Sequence, residues 1–369
     1  MRSRSIALVG LAVVAIIASA CSSAATPVPG LKIGLVTDVG TLNDKNFNQY
    51  SWEGAQAGAS AIGAQAPQSA VSSVSADIAK NIQSFVDQKY DVIVTVGFAA
   101  GSDTIKAAKA NKGIKFIGVD QSPCLDASGV EDPTFGCKGD AAALLPNLVG
   151  IQWKEQQPGY LAGIVAASIS KSGHIAAIGG TAAVPAVPNY MLGYASGAKS
   201  VKSSIKVELQ YISPAPDKAA FADPAGGTAF AKQLLAKFTD VDVLFQVAGL
   251  TGNGVLQAAC DAKIYGIGVD VDQFLSTPDT AKCTVVSAEK KLSKNVSDQI
   301  QKVKAGTFKA GTAKLDIGSN DVGLSPFHDS ASLITPATQK LIDDAVAAMK
   351  AGTLKACDEN AFGGCNIPK

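Results

Sequence analysis

The sequence predicts an α/β protein made of two successive units, each with a mostly parallel sheet flanked by helices. Short runs rich in Val and Ile, such as 90–97 and 115–119, alternate with helix-like segments rich in Ala and Lys. The runs are nearly continuous in apolar residues, which is typical of strands buried on both faces. The same rhythm starts again after residue 147. We therefore expect two units of similar size, built from right-handed strand–helix–strand connections.

The apolar runs and the helix-like segments place the elements of the first unit. Its expected strands are 31–37, 69–75, 90–97 and 115–119, and its expected helices are 49–65, 77–89 and 102–112. Residues 121–147 interrupt the rhythm with prolines, glycines and two cysteines, and we interpret them as a loop pinned by a disulfide.

The second unit repeats the pattern. Its expected strands are 148–153, 174–179, 206–212, 242–248 and 264–269, and its expected helices are 155–171, 189–201, 225–237 and 253–262. A strand that begins at residue 283, a helix at 291–305 and a terminal helix at 336–351 are left over. In two-lobed binding folds such segments cross back to complete each lobe, and the cleft between the lobes is the natural ligand site.

Residues 1–20 are expected to be a signal peptide. Arg2 and Arg4 precede the uncharged apolar run 6–17, and small residues then lead to Cys21. The apolar run is too short for a convincing transmembrane helix. A cysteine directly after small residues resembles a bacterial lipobox, in which that cysteine is lipidated. Simple secretion with an incidental Cys21 is the alternative, and residues 21–30 are interpreted as a tether.

The charge balance excludes one class of partner and disfavours another. The chain has 32 Lys and Arg, and without Arg2 and Arg4 the remaining 30 face 31 acidic residues. No basic field is left to attract nucleic acid. No arginine follows the signal peptide, which disfavours a strongly anionic ligand because arginine is the preferred clamp for such groups. Lysines and helix N-termini can also bind anions, so this argument is not absolute.

Six cysteines follow Cys21, and an even number in an exported chain indicates disulfides. Six cysteines allow fifteen connectivities, so the sequence does not fix one. We choose nearest-neighbour pairing: Cys124–Cys137, Cys260–Cys283 and Cys357–Cys365. A metal site is not expected, because no Cys-x-x-Cys occurs and the chain has only two histidines.

Polar and aromatic residues recur where the expected strands end. They are Asp38, Gly97-Phe98, Asp120, the turn 249–254, the run 270–273, Ser287 and Lys290. The turn 38–54 after the first strand adds Asn43, Asp44, Phe47 and Asn48. Carboxylates accept bonds from hydroxyls and aromatic faces stack on planar rings, so the pattern suits a hydroxylated ligand with a ring. The alternatives are an ordinary polar turn and helix N-caps at the aspartates.

The chain shows no strong motif for catalysis. The turn 249–254, GLTGNG, is not the dinucleotide pattern G-x-G-x-x-G, and it indicates either backbone N–H groups near a ligand or tight packing. No G-x-S-x-G occurs, which leaves a hydrolase without support. An α/β oxidoreductase is the enzyme alternative, and the missing dinucleotide motif disfavours it. No cofactor is expected.

Several segments together resemble one family. They are N-D-K-N-F-N-Q-x-S-W-E-G at 43–54, Y-D-V-I-V-T-V-G-F at 90–98, E-Q-Q-P-G-Y-L-A-G at 155–163, F-x-D-P at 221–224, F-Q-V-A-G-L-T-G-N-G at 245–254 and I-G-V-D-V-D-Q at 267–273. They resemble the basic membrane protein (PnrA-like) family, the purine-nucleoside-binding lipoproteins of ABC-type importers. The departures are Asn46, where the family usually has serine, and the cysteine-bearing insertion 121–147.

The resemblance implies a type I periplasmic-binding fold, with two α/β lobes joined by three crossover segments. We expect an N-terminal lobe of residues 31–149 plus 286–311 and a C-terminal lobe of residues 150–285 plus 312–369. The leftover segments after residue 283 would then serve both lobes.

The resemblance also implies a set of ligand contacts. Phe47 and Phe221 would sandwich the purine, with Phe98 as the alternative to Phe221. Asp120 would face the base with Asp38 nearby, and Asn48 lies in the same turn as Phe47. Asp270 and Lys290 would hold the ribose hydroxyls, and Gly249 would approach the sugar.

The function implied is a lipid-anchored receptor on the extracytoplasmic side of the cell membrane. It would bind a nucleoside by closing its lobes and deliver the nucleoside to an ABC permease and ATPase, with no reaction catalysed. The alternatives are a receptor for a sugar or another hydroxylated metabolite, and an exported sensor.

Overall fold

The computed structural model describes residues 30–132, 136–360 and 363–366. The expected signal peptide, Cys21 and nearly all of the tether lie outside these residues. The strands are β1 (Ile33–Val39), β2 (Gln68–Ser72), β3 (Val92–Val96), β4 (Lys115–Val119), β5 (Leu148–Trp153), β6 (His174–Gly179), β7 (Lys206–Tyr211), β8 (Val243–Val247), β9 (Tyr265–Asp270), β10 (Thr284–Lys290), β11 (Gly311–Leu315) and β12 (Val322–Leu324).

The helices are α1 (Phe47–Ala61), α2 (Ala76–Asp87), α3 (Gly101–Ala110), α4 (Ala141–Leu144), α5 (Gln156–Ile169), α6 (Ala186–Val201), α7 (Lys218–Phe221), α8 (Pro224–Lys237), α9 (Gly249–Asp261), α10 (Gln273–Ser276), α11 (Leu292–Lys304) and α12 (Pro336–Lys350). Short 3-10 turns lie at Phe98–Ala100, Pro278–Cys283 and His328–Leu333. Within the described part of the chain, every helix is too short or too polar to span a membrane.

The strands form two six-stranded sheets with equivalent strand orders. Their orders are β11-β5-β4-β3-β1-β2 and β12-β10-β9-β8-β6-β7. All neighbours pair in parallel except β12, which runs antiparallel to β10. The central strands are fully buried, because helices cover both faces of each sheet. The prediction of two mostly parallel α/β units is confirmed.

The strands distribute between the sheets differently from the expected lobe boundaries. Residues 150–153 and 312–315 belong to β5 and β11, which pair with each other in the first sheet. Residues 286–290 belong to β10, which pairs with β9 in the second sheet. Each of these strands pairs within one sheet, so the chain changes lobe between strands and not within β5, β10 or β11.

The chain passes between the sheets three times. The passages are 154–173 between β5 and β6, 291–310 between β10 and β11, and 316–321 between β11 and β12. Helix α5, in the first passage, packs on α6 and β10 of the second lobe, whereas α11, in the second passage, packs on α1 of the first lobe. In two-lobed binding proteins, connections of this kind are the segments about which the lobes move.

Helices α5 and α6 pack backbone against backbone. Gly159 and Gly163 on α5 face the α6 backbone, and Gly193 and Gly197 on α6 face the α5 backbone. A Cβ atom at Gly163 would lie 2.0 Å from the Tyr194 carbonyl oxygen, so no larger residue fits there. This contact holds the N-terminal ends of both helices against the cleft.

The three disulfides of the structure join the cysteine pairs chosen from the sequence. Cys124–Cys137 closes the loop after β4, Cys260–Cys283 ties the end of α9 to the turn before β10, and Cys357–Cys365 closes the tail. Each bridge therefore restrains a loop or a helix end outside the two sheets.

Candidate ligand-binding site

A cavity lies between the lobes, at the carboxyl ends of the central strands. In each sheet the strand order reverses between neighbouring strands, β1 and β3 in the first sheet and β6 and β8 in the second. Loops diverge at such a point and leave a crevice, which is where open α/β sheets bind ligands. The ends of β1, β4, β8, β9 and β10 supply residues to the cavity wall.

All eight residues predicted as ligand contacts line this one cavity. They are Asp38, Phe47, Asn48, Asp120, Phe221, Gly249, Asp270 and Lys290. Phe98, the alternative to Phe221, lines the cavity as well. The fold thus brings together residues from distant parts of the chain, and their contact with a ligand stays a prediction.

The turn between β1 and α1 is built around Asp44. Its carboxylate accepts backbone N–H bonds of 2.8 Å from Asn46 and 2.8 Å from Asn48. Asn48 Oδ1 in turn accepts the backbone N–H of Asp38 at 3.0 Å. Asp44 therefore supports the turn, and it lines the cavity together with Asp38, Phe47 and Asn48.

The ammonium group of Lys290 lies among three carboxylates. Its Nζ is 2.6 Å from Asp120 Oδ2, 3.5 Å from Asp270 Oδ1 and 3.7 Å from Glu155 Oε1. The Tyr190 hydroxyl also donates to Asp270 Oδ1, at 3.3 Å. Lys290 and Asp270 belong to the second sheet, whereas Asp120 follows β4 of the first. The ion pair between Lys290 and Asp120 therefore connects the lobes.

The carboxylates around Lys290 keep it charged. Burial opposes the charge on Lys290, but Asp120, Asp270 and Glu155 outweigh burial and raise its pKa above the ordinary value. Burial raises the pKa of Glu155 to about 7, although Lys290 acts in the opposite direction. Burial also raises the pKa of Asp270, again against the effect of Lys290. One cation thus faces several carboxylates, and the cavity wall has a surplus of hydrogen-bond acceptors.

Asp38 is a further acidic group in the wall. Burial raises the pKa of Asp38 to about 7, against a hydrogen bond from the Val39 N–H and with the help of the nearby charges of Asp120 and Asp44. The Val39 N–H lies 2.7 Å from Asp38 Oδ1. Asp38 can therefore be protonated or ionised near neutral pH.

Asp120 and Asp270 occupy equivalent places in the two lobes. Each follows the sequence Ile-Gly-Val, at 117–119 and 267–269, and each has a left-handed backbone, with φ of 55° and 66°. Such a conformation costs a non-glycine residue about 1–3 kcal/mol, and it clusters at functional sites. Asp120 Oδ1 is also buried without a hydrogen-bond partner among the described residues. A ligand N–H or O–H would satisfy this oxygen.

Aromatic side chains form the apolar part of the wall. Phe47 begins α1 in the first lobe, and Phe221 ends α7 in the second. Lys290 Nζ lies 4.9 Å from the centre of the Phe47 ring. The Phe221 ring lies against Gly180, where an added Cβ atom would be 2.5 Å from the ring. The absence of a side chain at Gly180 lets Phe221 take this position.

Helix capping and tight packing, the alternatives to ligand binding, explain residues next to the predicted ligand contacts. Asp272 is a helix cap, since its Oδ1 accepts the Phe274 N–H at 3.2 Å at the start of α10. In the turn 249–254, Gly252 and Gly254 serve tight packing, because a Cβ atom would lie 1.6 Å from Gln246 Oε1 and 1.8 Å from the Pro224 carbonyl oxygen, respectively. Gly249 and Leu250 are the residues of this turn that line the cavity.

Glu155 and Tyr190 are not among the ligand contacts predicted from the sequence. Both lie near the N-terminal ends of the closely packed helices α5 and α6, and both contact the Lys290 cluster. Glu155 is a lone acidic residue before a helix that is almost entirely buried. A buried ionisable group of this kind often marks a functional site, so its position before an apolar helix is the sequence feature that could have identified Glu155.

Two comparisons with protein sequences identify relatives. A family model described as "ABC transporter substrate-binding protein PnrA-like" matches residues 32–351. A protein of Lactococcus lactis subsp. cremoris (strain MG1363), described as the ABC transporter nucleoside-binding protein BmpA, is 31% identical over 351 residues. The match covers 88% of this chain and 92% of that protein.

The chain is also similar to solved structures. A solute-binding protein of an ABC transporter system from Aeropyrum pernix K1 has a TM-score of 0.72 and 21% identity, with 88% of this chain and 92% of that chain covered. A carbohydrate transporter solute-binding protein from Agrobacterium radiobacter, in complex with D-arabinose, has a TM-score of 0.57 and 18% identity, with 85% and 99% covered. These similarities concern the fold, and they confirm the expected two-lobed architecture.

Proposed function

Because the chain belongs to the PnrA-like family of ABC transporter substrate-binding proteins, we propose that it binds a nucleoside, with purine nucleosides preferred. The lobes close on the nucleoside on the extracytoplasmic side of the membrane and deliver it to an ABC permease and ATPase. A lipid on Cys21 anchors the protein to the cell membrane. The family binds substrates for transport, and the protein catalyses no reaction.

The observation that supports this proposal is the composition of the cavity wall. Phe47 and Phe221 enter from opposite lobes, so a planar base between them could stack on both. Asp270 presents a buried carboxylate beside the Tyr190 hydroxyl and Lys290, which suits the paired hydroxyls of ribose. The surplus of carboxylates disfavours nucleotides, whose phosphates would be repelled.

Closure is proposed to follow from contacts that need both lobes. In addition to the ion pair between Lys290 and Asp120, Asn253 Nδ2 on α9 donates to the Asp44 carbonyl oxygen at 3.1 Å. A ligand that touches both walls adds contacts only in the closed state, and it thereby shifts the equilibrium toward closure.

Calorimetric titration of the purified protein tests the proposal. We expect adenosine, guanosine or inosine to bind with a dissociation constant in the micromolar range or lower, and uridine to bind more weakly. If no nucleoside binds more tightly than about millimolar, or roughly −4 kcal/mol, while D-arabinose or D-ribose does, the nucleoside assignment is wrong.

The substitution Asp270→Ala tests the sugar-binding part of the site. It removes an acceptor for ribose hydroxyls, and the expected loss is about 1–3 kcal/mol of binding free energy. Asp261→Ala is the matched control, because Asp261 is a surface residue whose partners are Lys232 and Gln257. Equal affinities of the two variants for adenosine would remove Asp270 from the site.

A receptor for a sugar is the second candidate. The carboxylates of the wall would suit sugar hydroxyls as well as ribose, and aromatic faces also stack on sugar rings. A nucleoside receptor needs both aromatic side chains to stack on the base, whereas a sugar receptor does not. Phe47→Leu and Phe221→Leu should each weaken nucleoside binding, whereas tight sugar binding that survives both changes would favour the sugar receptor.

A further inference from the structure

A second cavity adjoins the ligand cavity and is the larger of the two. The two cavities share Phe98, Asp120, Val184 and Ala186 in their walls. The first has a volume of about 70 Å³ and the second about 460 Å³. Small-molecule pockets generally have about 300–1,000 Å³. Most of the space open to a ligand therefore lies beside the predicted nucleoside position, not within it.

Two disulfide-bonded segments wall the second cavity. Cys124 and Cys137 bring in the insertion after β4, and Cys365 brings in the tail. Residues 363–365 of the tail are held against α5 and α6, since the Cys365 N–H donates to Asn189 Oδ1 at 2.8 Å and Gln156 Nε2 donates to the Gly363 carbonyl oxygen at 2.6 Å. The cavity is thus bounded by covalently restrained segments of both lobes.

The chemistry of the second cavity indicates what it could hold. Pro123, Pro185 and Pro188 give it apolar surfaces beside the two disulfides. Its charged groups are two carboxylates, Asp120 and Glu155, and one lysine, Lys314, so acidic groups outnumber basic ones and oppose an anionic substituent. The prolines and the disulfides offer an uncharged substituent apolar contact.

Asp120 lies at the junction of the two cavities. Its side chain is 10% exposed, and its Oδ1 is buried without a partner among the described residues. A ligand that extends from one cavity into the other passes the Asp120 side chain, which lines both. A linking N–H would both carry the substituent and donate a hydrogen bond to Asp120.

We infer that the second cavity accepts an apolar substituent on the exocyclic amine of a purine nucleoside. The inference rests on the proposed nucleoside function and extends it to a ligand class, the N-substituted purine nucleosides. The base lies in the first cavity, the amine N–H donates to Asp120, and the substituent lies between the insertion and the tail.

The test compares adenosine with N6-benzyladenosine by calorimetry on the purified protein. Ala141 on α4 lines only the second cavity, so Ala141→Trp should fill it. Ala143→Trp is the matched control, because Ala143 is exposed on the same helix and lines neither cavity. Ser122→Trp fills the second cavity from another wall, and it replaces Ala141→Trp if that variant does not fold.

We expect the unaltered protein to bind N6-benzyladenosine at least as tightly as adenosine. The Ala141→Trp variant should weaken N6-benzyladenosine binding at least tenfold and change adenosine binding less than twofold, and Ala143→Trp should change neither. The inference is overturned if N6-benzyladenosine binds the unaltered protein ten times more weakly than adenosine. It is also overturned if Ala141→Trp weakens the binding of adenosine and N6-benzyladenosine equally. The same holds if Ala141→Trp weakens the binding of a 5′-benzylthio analogue of adenosine and leaves that of N6-benzyladenosine unchanged. If adenosine itself does not bind, the proposed function fails and the inference falls with it.

Discussion

At the scale of single residues, Lys290 compensates the charge of the buried carboxylates in the site. Its ammonium contacts Asp120, Asp270 and Glu155 while its own side chain is only 2% exposed. Removing one partner of a buried ion pair leaves an uncompensated charge, which typically costs about 3–5 kcal/mol. The ion pair therefore joins the two lobes across the cleft, and Asp120 Oδ1 is left without a hydrogen-bond partner among the described residues.

Asp38 should make stability fall as pH rises. Its folded-state pKa is about 7 because of burial, against an ordinary value of 3.8. The folded state therefore favours the protonated acid. That stabilisation is complete below about pH 4 and is lost as pH rises through about 7. Asp38→Asn keeps an oxygen for the Val39 N–H and avoids the buried charge, so its melting temperature should exceed that of the unaltered protein at pH 8 and match it at pH 4.

Between about pH 4 and 7, the free energy of unfolding of the unaltered protein should fall by about 1.4 kcal/mol per pH unit relative to Asp38→Asn. Asp126→Asn is the control, because hydrogen bonds, first from the Ser128 hydroxyl, lower the pKa of Asp126, so its effect on stability changes only below about pH 4 and should be constant from pH 4 to 8. Thermal melts of both variants at pH 4, 6 and 8 measure the difference. A melting-temperature difference for Asp38→Asn that does not change with pH would show that the Asp38 pKa is ordinary.

The candidate site could be predicted from the sequence where its residues follow strands. Asp38, Asp120 and Asp270 directly end or follow recognisable Val- and Ile-rich runs, so their meeting at one sheet edge follows from parallel topology. Glu155 and Tyr190 reach the site through the packing of α5 on α6. Helix packing depends on distant side-chain contacts that no local pattern records.

At the scale of elements, the two missed strands show where local patterns fail. Strand β11 has the sequence GTAKL, and β12 has only three residues. Both lie at sheet edges, where a strand has a neighbour on one side only and can be short and polar. The central strands were predictable because burial on both faces requires continuous apolar sequence. The missed strands complete the sheets after the chain has crossed between the lobes.

Gly249 tests how the start of α9 shapes the cavity. It has a φ of 51° and lines the site, and a Cβ atom there would meet only ordinary contacts with Phe221. Gly249→Ala should therefore cost about 1 kcal/mol or more through the left-handed backbone alone. Gly113→Ala is the matched control, because Gly113 has an ordinary φ and open space around it.

Chemical denaturation and adenosine titration of both glycine variants measure the effect. We expect Gly249→Ala to lower both the free energy of unfolding and the affinity, and Gly113→Ala to change neither by more than about 0.5 kcal/mol. An unchanged free energy of unfolding for the Gly249→Ala variant would mean that α9 begins with a different backbone conformation in solution.

At the scale of the whole molecule, one buried chain of amides connects the second sheet to the first lobe. Gln246 Nε2 bonds to Gln273 Oε1, and Gln273 Nε2 donates to Asn253 Oδ1 at 2.9 Å. Asn253 then donates across the cleft to the Asp44 carbonyl oxygen, at the turn that carries Phe47. The hydrogen bonds among these amides fix the side chain of Asn253 before the lobes meet, which lowers the entropic cost of closing.

Asn253→Ala should therefore weaken ligand binding without unfolding either lobe. The lost cross-lobe bond is worth about 0.5–1.5 kcal/mol, or roughly a 2- to 12-fold loss of affinity. In small-angle scattering, adenosine should bring the radius of gyration of the unaltered protein toward about 20 Å, the value for a compact chain of this length. The variant should need more adenosine to reach the same radius.

Gln257→Ala is the matched control, since Gln257 lies one turn further along α9 and bonds to Asp261 at the surface. It should leave both the affinity and the scattering titration unchanged. If Asn253→Ala binds adenosine as tightly as Gln257→Ala does, the bond to Asp44 does not contribute to closure. The closed state would then depend on the Lys290–Asp120 ion pair and on the ligand, so the free energy of closing would reside in the cavity wall itself.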